Sequence, residues 1–182
     1  MALPKLDSPV YELEQPSTGE KIKYRPFLVK EQKLLMMAQE SEDDVQVKEA
    51  LAGLIANCTF SELDPYKIPL FDVEYLFLRI RGKSVGETID ISLLCPDDNK
   101  TRVTQSINLE EIGVNMKVGH TNEIAITKEV KMVMRYPTLD DMVNIDDVTQ
   151  IVDVFPMIMR CVHEIHDGEK IYNKVDMSEK DL

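Results

Sequence analysis

Residues 70–82 read LFDVEYLFLRIRG, and this stretch limits the fold more than any other part of the chain. Leu70, Phe71, Val73, Tyr75, Leu76, Phe77, Leu78 and Ile80 cover most of the circumference of a helix. A helix that is apolar on nearly every side is buried on nearly every side, so other elements must be wrapped around it. Its ends carry the right residues. Pro69 suits the first turn, Asp72 complements the N-terminal dipole, Arg79 and Arg81 suit the last turn, and Gly82 stands where a left-handed C-cap falls. A buried strand is the competing reading, because aromatic and β-branched residues are frequent here.

The elements available to cover that helix can be read on both sides of it. Tyr11 and Leu13 alternate with Glu12 and Glu14, and Ile22 and Tyr24 alternate with Lys21, Lys23 and Arg25. With Pro16-Ser17-Thr18-Gly19 between them, these predict a β-hairpin over residues 9–26 that ends at Pro26. Residues 28–82 read as the helical part. VKEQKLLMMAQE at 29–40 is built of strong helix formers, and the polar break Ser41-Glu42-Asp43-Asp44 can cap a second helix. In that helix Val47, Leu51, Leu54, Ile55 and Cys58 share a face, and the two helices together make an αα-hairpin.

Beyond the central helix the period returns to two. Ile89, Ile91 and Leu93, the turn Pro96-Asp97-Asp98-Asn99, and Val103 with Ile107 predict a second hairpin. Ile124 and Ile126, then Val130, Met132 and Met134, predict further strand up to Pro137, so that residues 86–137 form a β part. Residues 138–145 and 147–166 read as a C-terminal helical part, with Ile151, Phe155, Ile158, Met159 and Val162 on one side. Pro156 requires either a kink or a new helix starting near Asp153. Asp176-Met177-Ser178-Glu179 opens like a capped helix, so residues 176–182 read as the start of a truncated C-terminal segment. The fold expected is α+β, a single domain over residues 1–175. In it, an N-terminal β-hairpin and a mostly antiparallel sheet pack on the αα-hairpin and the central buried helix.

Charge narrows the function. The 182 residues carry a net charge of −12. Residues 41–80 hold 3 basic against 8 acidic side chains, and residues 136–182 hold 4 against 11. With no basic stripe the chain is a poor ligand for nucleic acid or for an anionic membrane. The acids read first as solvated helix faces, and second as a surface for a basic partner or a mimic of nucleic acid. No stretch reaches the roughly 18 apolar residues of a membrane span, and the N-terminus lacks the pattern of a signal peptide. Cys58, Cys95 and Cys161 are widely spaced and odd in number, which suggests reduced thiols.

No motif nominates a chemistry. Gly82-Lys83-Ser84 invites a phosphate-loop reading, but that loop needs a glycine where Phe77 stands. Cys161, His163 and His166 resemble a metal cluster. On a helix the two histidines share a face, while Cys161 lies about 140° from His166 around a 3.6-residue turn. A metal-dependent enzyme using His163 and His166 is therefore the reading from another functional class. Asp97-Asp98, Asp140-Asp141 and Asp146-Asp147 sit where caps and turns need acids. His120 has no nucleophile beside it in the sequence. Met36, Met37, Met132 and Met134 read as core filling, with an adaptable partner surface as the alternative. No catalytic residue, cofactor, metal ligand or small-molecule substrate is expected.

The run LPKLDSPVYELEQPSTGEKIKYRPFLVKEQKLLMMAQESED, followed by IPLFDVEYLFLRIRGKSVGE, resembles the baseplate hub proteins of T-even-type contractile-tailed phages. Pro16-Ser17-Thr18-Gly19, KYRPFLVKEQK and FDVEYLFL…R…KSVGE carry the resemblance. Arg135-Tyr136-Pro137 and the Cys161…Asp167-Gly168 stretch extend it over nearly the whole chain. It implies a late viral protein that acts in tail assembly, as a hub subunit or a hub assembly factor, in the host cytoplasm and in the tail baseplate. An assembly chaperone absent from the finished particle is the other form of that role. The implied partners are other baseplate and tail hub proteins and further copies of the chain. The hairpin and its exit supply the expected contact residues, Tyr11, Leu13, Thr18, Tyr24, Arg25 and Phe27, with strand edges open to β-addition.

Overall fold

The computed structural model describes residues 8–142 and 154–174. The chain divides into two compact units, Met1–Asn115 and Met116–Leu182, where the sequence led us to expect one domain over residues 1–175. Between Glu111 and Glu123 no regular element forms, and the strands on either side of that stretch pair among themselves. The α+β class is as expected. Every strand pairing among the described residues is antiparallel, in the N-terminal hairpin, a second hairpin and a four-stranded sheet, so the strands expected over 86–137 divide between the last two.

In the first unit, β1 (Tyr11–Glu14) and β2 (Lys21–Tyr24) pair with Tyr11 opposite Tyr24 and Leu13 opposite Ile22. The alternation puts Leu13, Ile22 and Tyr24 into the core and the charged residues outside. Two loop bonds close the hairpin, Gln15 N–H to the Glu20 carbonyl and Gly19 N–H to the Gln15 carbonyl, both 2.8 Å. Gly19 sits at φ +74°, where a side chain is strained.

Helix α1 (Val29–Glu40) is capped at its start by the Glu31 side chain. The Leu28 N–H donates to Glu31 Oε2 at 2.5 Å, while Arg25 donates to both oxygens of the same carboxylate at 2.6 and 3.2 Å. Burial pushes the Glu31 carboxyl up, but Arg25 and the Leu28 N–H outweigh it and hold it below its ordinary value. Helix α2 (Asp44–Cys58) is capped by Asp43, which accepts from the Val45 N–H at 3.0 Å. It buries Ala52, Leu54, Ile55 and Cys58. Cys58 is fully buried, and that burial raises its thiol to about 11.

Helix α3 (Leu70–Val85) is the central helix, with Val73, Leu76 and Ile80 completely buried. It runs a turn further than Gly82. Gly82 lies inside the helix, and Gly86, at φ +142°, ends it. The extra turn has its own bonds: the Ser84 hydroxyl donates to the Ile80 carbonyl at 2.5 Å and accepts from the Phe27 N–H at 2.9 Å. With Gly82 helical, Gly82-Lys83-Ser84 is no phosphate loop.

One buried acid joins the hairpin to this helix. Asp72, in the first turn of α3, is fully inaccessible to solvent. It accepts from Gln15 Nε2 at 2.7 Å, from the Ser17 N–H at 3.1 Å and from the Ser17 hydroxyl. These donors and the helix N-terminus replace the water that the carboxylate loses.

After α3 come β3 (Thr88–Leu94) and β4 (Arg102–Asn108), a seven-pair hairpin followed by a 3-10 turn at Leu109–Glu111. Leu109 is buried, and its N–H returns to the Glu87 carbonyl at 2.7 Å. Arg79 donates to the Leu109 and Ile112 carbonyls at 3.2 and 2.9 Å, which holds the end of the ribbon against α3.

The second unit is a meander of β5 (Glu123–Ala125), β6 (Val130–Met134), β7 (Val162–Asp167) and β8 (Lys170–Asn173). The link from β6 to β7 includes a 3-10 turn at Leu139–Met142 and α4 (Phe155–Arg160). The C-terminal helical part expected over 138–166 is thereby corrected. Only α4 is a regular helix among its described residues, with Pro156 in its first turn, and residues 162–167 are strand. Pairing with β6 and the Asp167-Gly168 turn into β8 override the helical spacing, with Gly168 at φ +60°. Residues 143–153, including Ile151, Asp146 and Asp147, and the segment 176–182 lie outside the described residues.

Arg135 and Asp141 fasten that link. Arg135 donates to the two oxygens of Asp141 at 2.6 and 2.9 Å and to the Arg160 carbonyl at 2.9 Å. Asp141 also accepts from the Thr138 N–H at 2.8 Å and the Thr138 hydroxyl at 3.0 Å. Burial pushes its carboxyl up, but Arg135 and Thr138 outweigh that and hold it at about 2.

Two outcomes follow from these acids. Asp72→Ala leaves Gln15 and the Ser17 N–H without their acceptor and should cost the first unit about 3 kcal/mol. Denaturant titration with a probe in the hairpin reads this loss directly, and an unchanged midpoint would refute the role given to Asp72. Asp141 has a depressed pKa in the folded chain, so its stabilisation is complete above its ordinary value of 3.8 and disappears as pH falls towards about 2. Protection of the Arg135 and Cys161 amides, measured against their intrinsic exchange rates, should fall across that window. In Asp141→Asn that protection should already be low at neutral pH and change little on acidification.

Candidate functional site

The six expected contact residues do not form one surface. Leu13 and Tyr24 are buried in the core, so both are withdrawn as contact residues. Tyr11 is half-buried, its ring 5.6 Å from that of Tyr24 and 5.4 Å from the Lys83 ammonium. Lys83 in turn pairs with Glu87 at 2.5 Å and with Glu110, and those two carboxylates raise its pKa. The Arg25 guanidinium is committed to Glu31 and to the Pro26 carbonyl. Phe27 is half-buried, and its N–H is bonded to Ser84. Only Thr18, at the hairpin tip, is exposed. The hairpin is therefore mainly a platform, fixed by Asp72, Arg25 and Lys83.

Exposed apolar faces lie elsewhere. The ribbon β3–β4 is about 24 Å long at 3.4 Å per residue. Its register pairs Ile89 with Ile107, Ile91 with Gln105 and Leu93 with Val103, and cross-strand partners point to the same side. Five of those six side chains are apolar. The opposite side carries Thr88, Asp90, Ser92, Arg102, Thr104, Ser106 and Asn108, with Leu94 the one apolar exception. Leu93 and Val103 are 51% and 52% exposed. The tip is set by Asp98, which accepts from the Lys100 and Thr101 N–H groups at 2.9 Å each and is lowered to about 2, chiefly by the Thr101 hydroxyl. This one-sided ribbon was visible in the alternation of residues 89–93. That its outer end, at Leu93 and Val103, is open to solvent while Ile89, Ile91 and Ile107 are half-buried was not.

Helix α1 is the second such face. Glu31 and Ala38 are its buried residues, whereas Met36 and Met37 are more than half exposed and Val29 is 81% exposed. The core-filling reading of Met36 and Met37 is corrected: the side that packs is 31, 35 and 38, and the methionines point the other way. Met132 and Met134, on β6, are half-buried.

The histidines sit on β7, not on a helix. The register shifts there, with Val133 opposite Glu164 and Met134 opposite Val162, which makes His163 the extra residue of a bulge. The bulge brings both imidazoles to one carboxylate. His166 Nε2 lies 2.9 Å and His163 Nε2 3.6 Å from Glu164. Cys161 is buried behind the strand, its thiol raised by burial. Among the described residues no three histidine, cysteine, aspartate or glutamate side chains converge as a metal site. His120 stacks on Tyr136 at 6.0 Å.

The second unit also has a pocket of about 720 Å³ between Arg135, Asp141, Arg160, Val162, His163, Asn173 and Lys174. Arg135 and Asp141 engage each other there, and Lys174 donates to the Met159 carbonyl. The pocket is thus walled by groups that hold the fold. All three cysteines are free, and no helix among the described residues is long and apolar enough to cross a membrane.

Neither a curated protein nor a solved structure matches the chain. A family model described as T4 bacteriophage base plate protein matches residues 8–182, nearly the whole sequence, and spans both units. The chain belongs to the T4 bacteriophage base plate protein family.

Proposed function

We propose that this chain is a non-enzymatic component of the baseplate hub, retained in the tail, that works by contact with other baseplate proteins. Family membership supports a structural role in the phage tail. The observation that carries the finer reading is the β3–β4 ribbon, apolar on one face and open to solvent at its outer end, where Leu93 and Val103 are exposed. A two-stranded ribbon is barely stable alone, so an apolar face left open at its outer end favours a neighbour that buries it. The neighbour is another hub or tail protein, with Thr18 at the hairpin tip as a secondary contact. Nucleic acid, membrane and small-molecule substrates play no part in this reading, in keeping with the net charge of −12. Assembly takes place in the host cytoplasm.

The ribbon can be tested without unfolding it. Leu93→Lys with Val103→Glu places an opposite-charge pair across the strands, which preserves pairing while removing the apolar face. Both sites are exposed, so stability should stay within about 0.5 kcal/mol of the parent. Complementation of a phage lacking the protein should fail, and tagged chain should lose its co-purifying baseplate proteins. Infective particles produced at parental yield by this variant would sink the proposal. Mass spectrometry of purified virions tests retention: the chain should be present at fixed stoichiometry, and its absence would assign it to assembly alone.

A further inference from the structure

We infer that the outward face of α1 pairs with the same face of a second copy of the chain. This stands independently of the ribbon's role. Val29, Lys33, Met36 and Glu40 recur at i, i+4, i+7 and i+11, a single stripe along a helix of about 18 Å. That stripe lies opposite the packed side, and Gln32 and Met37 flank it. Together the six residues line a shallow groove of about 320 Å³. Lys33 and Glu40 are exposed, and among the described residues neither has an ion-pair partner.

The arrangement of charge selects the occupant. Lys33 and Glu40 have opposite signs and stand equally far on either side of the Met36–Met37 step. Two such helices, antiparallel about a two-fold axis through that step, bring the two Met36 side chains together along one edge of the seam and the two Met37 side chains together along the other. The same operation places each Lys33 against the partner's Glu40. The surface is thus its own complement, as an isologous interface requires. Thioethers adapt to an imperfect fit, which suits a seam made of methionine. One helix face falls at the small end of specific interfaces, so the pair is weak in dilute solution and fills where copies are concentrated on a growing baseplate.

The test is a charge swap in the full chain, read by sedimentation equilibrium up to about 1 mM. The parent should form dimers in this range. Lys33→Glu alone and Glu40→Lys alone should each weaken association about tenfold or more, because each sets like charges together. The double variant Lys33→Glu with Glu40→Lys should recover association to within about threefold of the parent, since the pair is restored with its signs exchanged. Circular dichroism checks that α1 stays folded in every variant. A monomeric parent at all concentrations overturns the inference. So does association indifferent to the single reversals, or a double variant no better than either single. The Leu93→Lys, Val103→Glu variant should dimerise like the parent, which keeps failure of the ribbon proposal distinct from failure of this one.

Discussion

The first unit depends on a carboxylate that never meets water. Asp72 belongs to the most apolar segment of the sequence and is completely buried, yet three hydrogen bonds from Gln15 and Ser17 satisfy it. It joins a surface turn to the central helix across 55 residues or more of chain. An apolar residue at 72 would suit the helix equally well and give the turn nothing to dock on. The acid fixes where the hairpin sits, and the ion pair of Arg25 with Glu31 fixes where the chain leaves it. The two segments most distinctive of the sequence, the Pro16–Gly19 turn and the Phe71–Leu78 helix, are the two that Asp72 connects.

Local pattern revealed most of the elements. The hairpins at Tyr11–Tyr24 and Thr88–Asn108 and the three helices up to Val85 follow from period-2 or helical spacing with ordinary turn and cap residues. The failures have physical reasons. Gly82 looked like a terminus because glycine ends many helices, but the bonds of Ser84 to Ile80 and Phe27 add a turn that spacing does not encode. Residues 162–167 kept helical spacing and became strand because β6 offered a pairing partner. The Asp167-Gly168 dipeptide was the available cue, a strong hairpin signal set between two apolar alternations.

The functional surface was less legible than the fold. Sequence pattern shows which residues share a face, but burial depends on what tertiary structure lays against that face. Leu13 and Tyr24 alternate just as Leu93 and Val103 do, yet the first pair is core and the second open to solvent. Met36 and Met37 likewise carry no mark of the side on which α1 packs. Each unit leaves apolar area exposed, the distribution expected where stability of the subunit and binding of neighbours are separate tasks.

The sheet order has a consequence for how the subunit matures. Every described strand pairs only with the strand before or after it in the chain, and α1 packs on α2, its immediate successor. Most strand pairings close short loops, which lowers the entropic barrier to forming them, while Asp72 with the Pro16–Gly19 turn and Phe27 with Ser84 are the long closures of the first unit. Such a chain can reach its native state as a free subunit, before encounter with any neighbour. The pace of incorporation would then be set by diffusion and local concentration, with folding already complete.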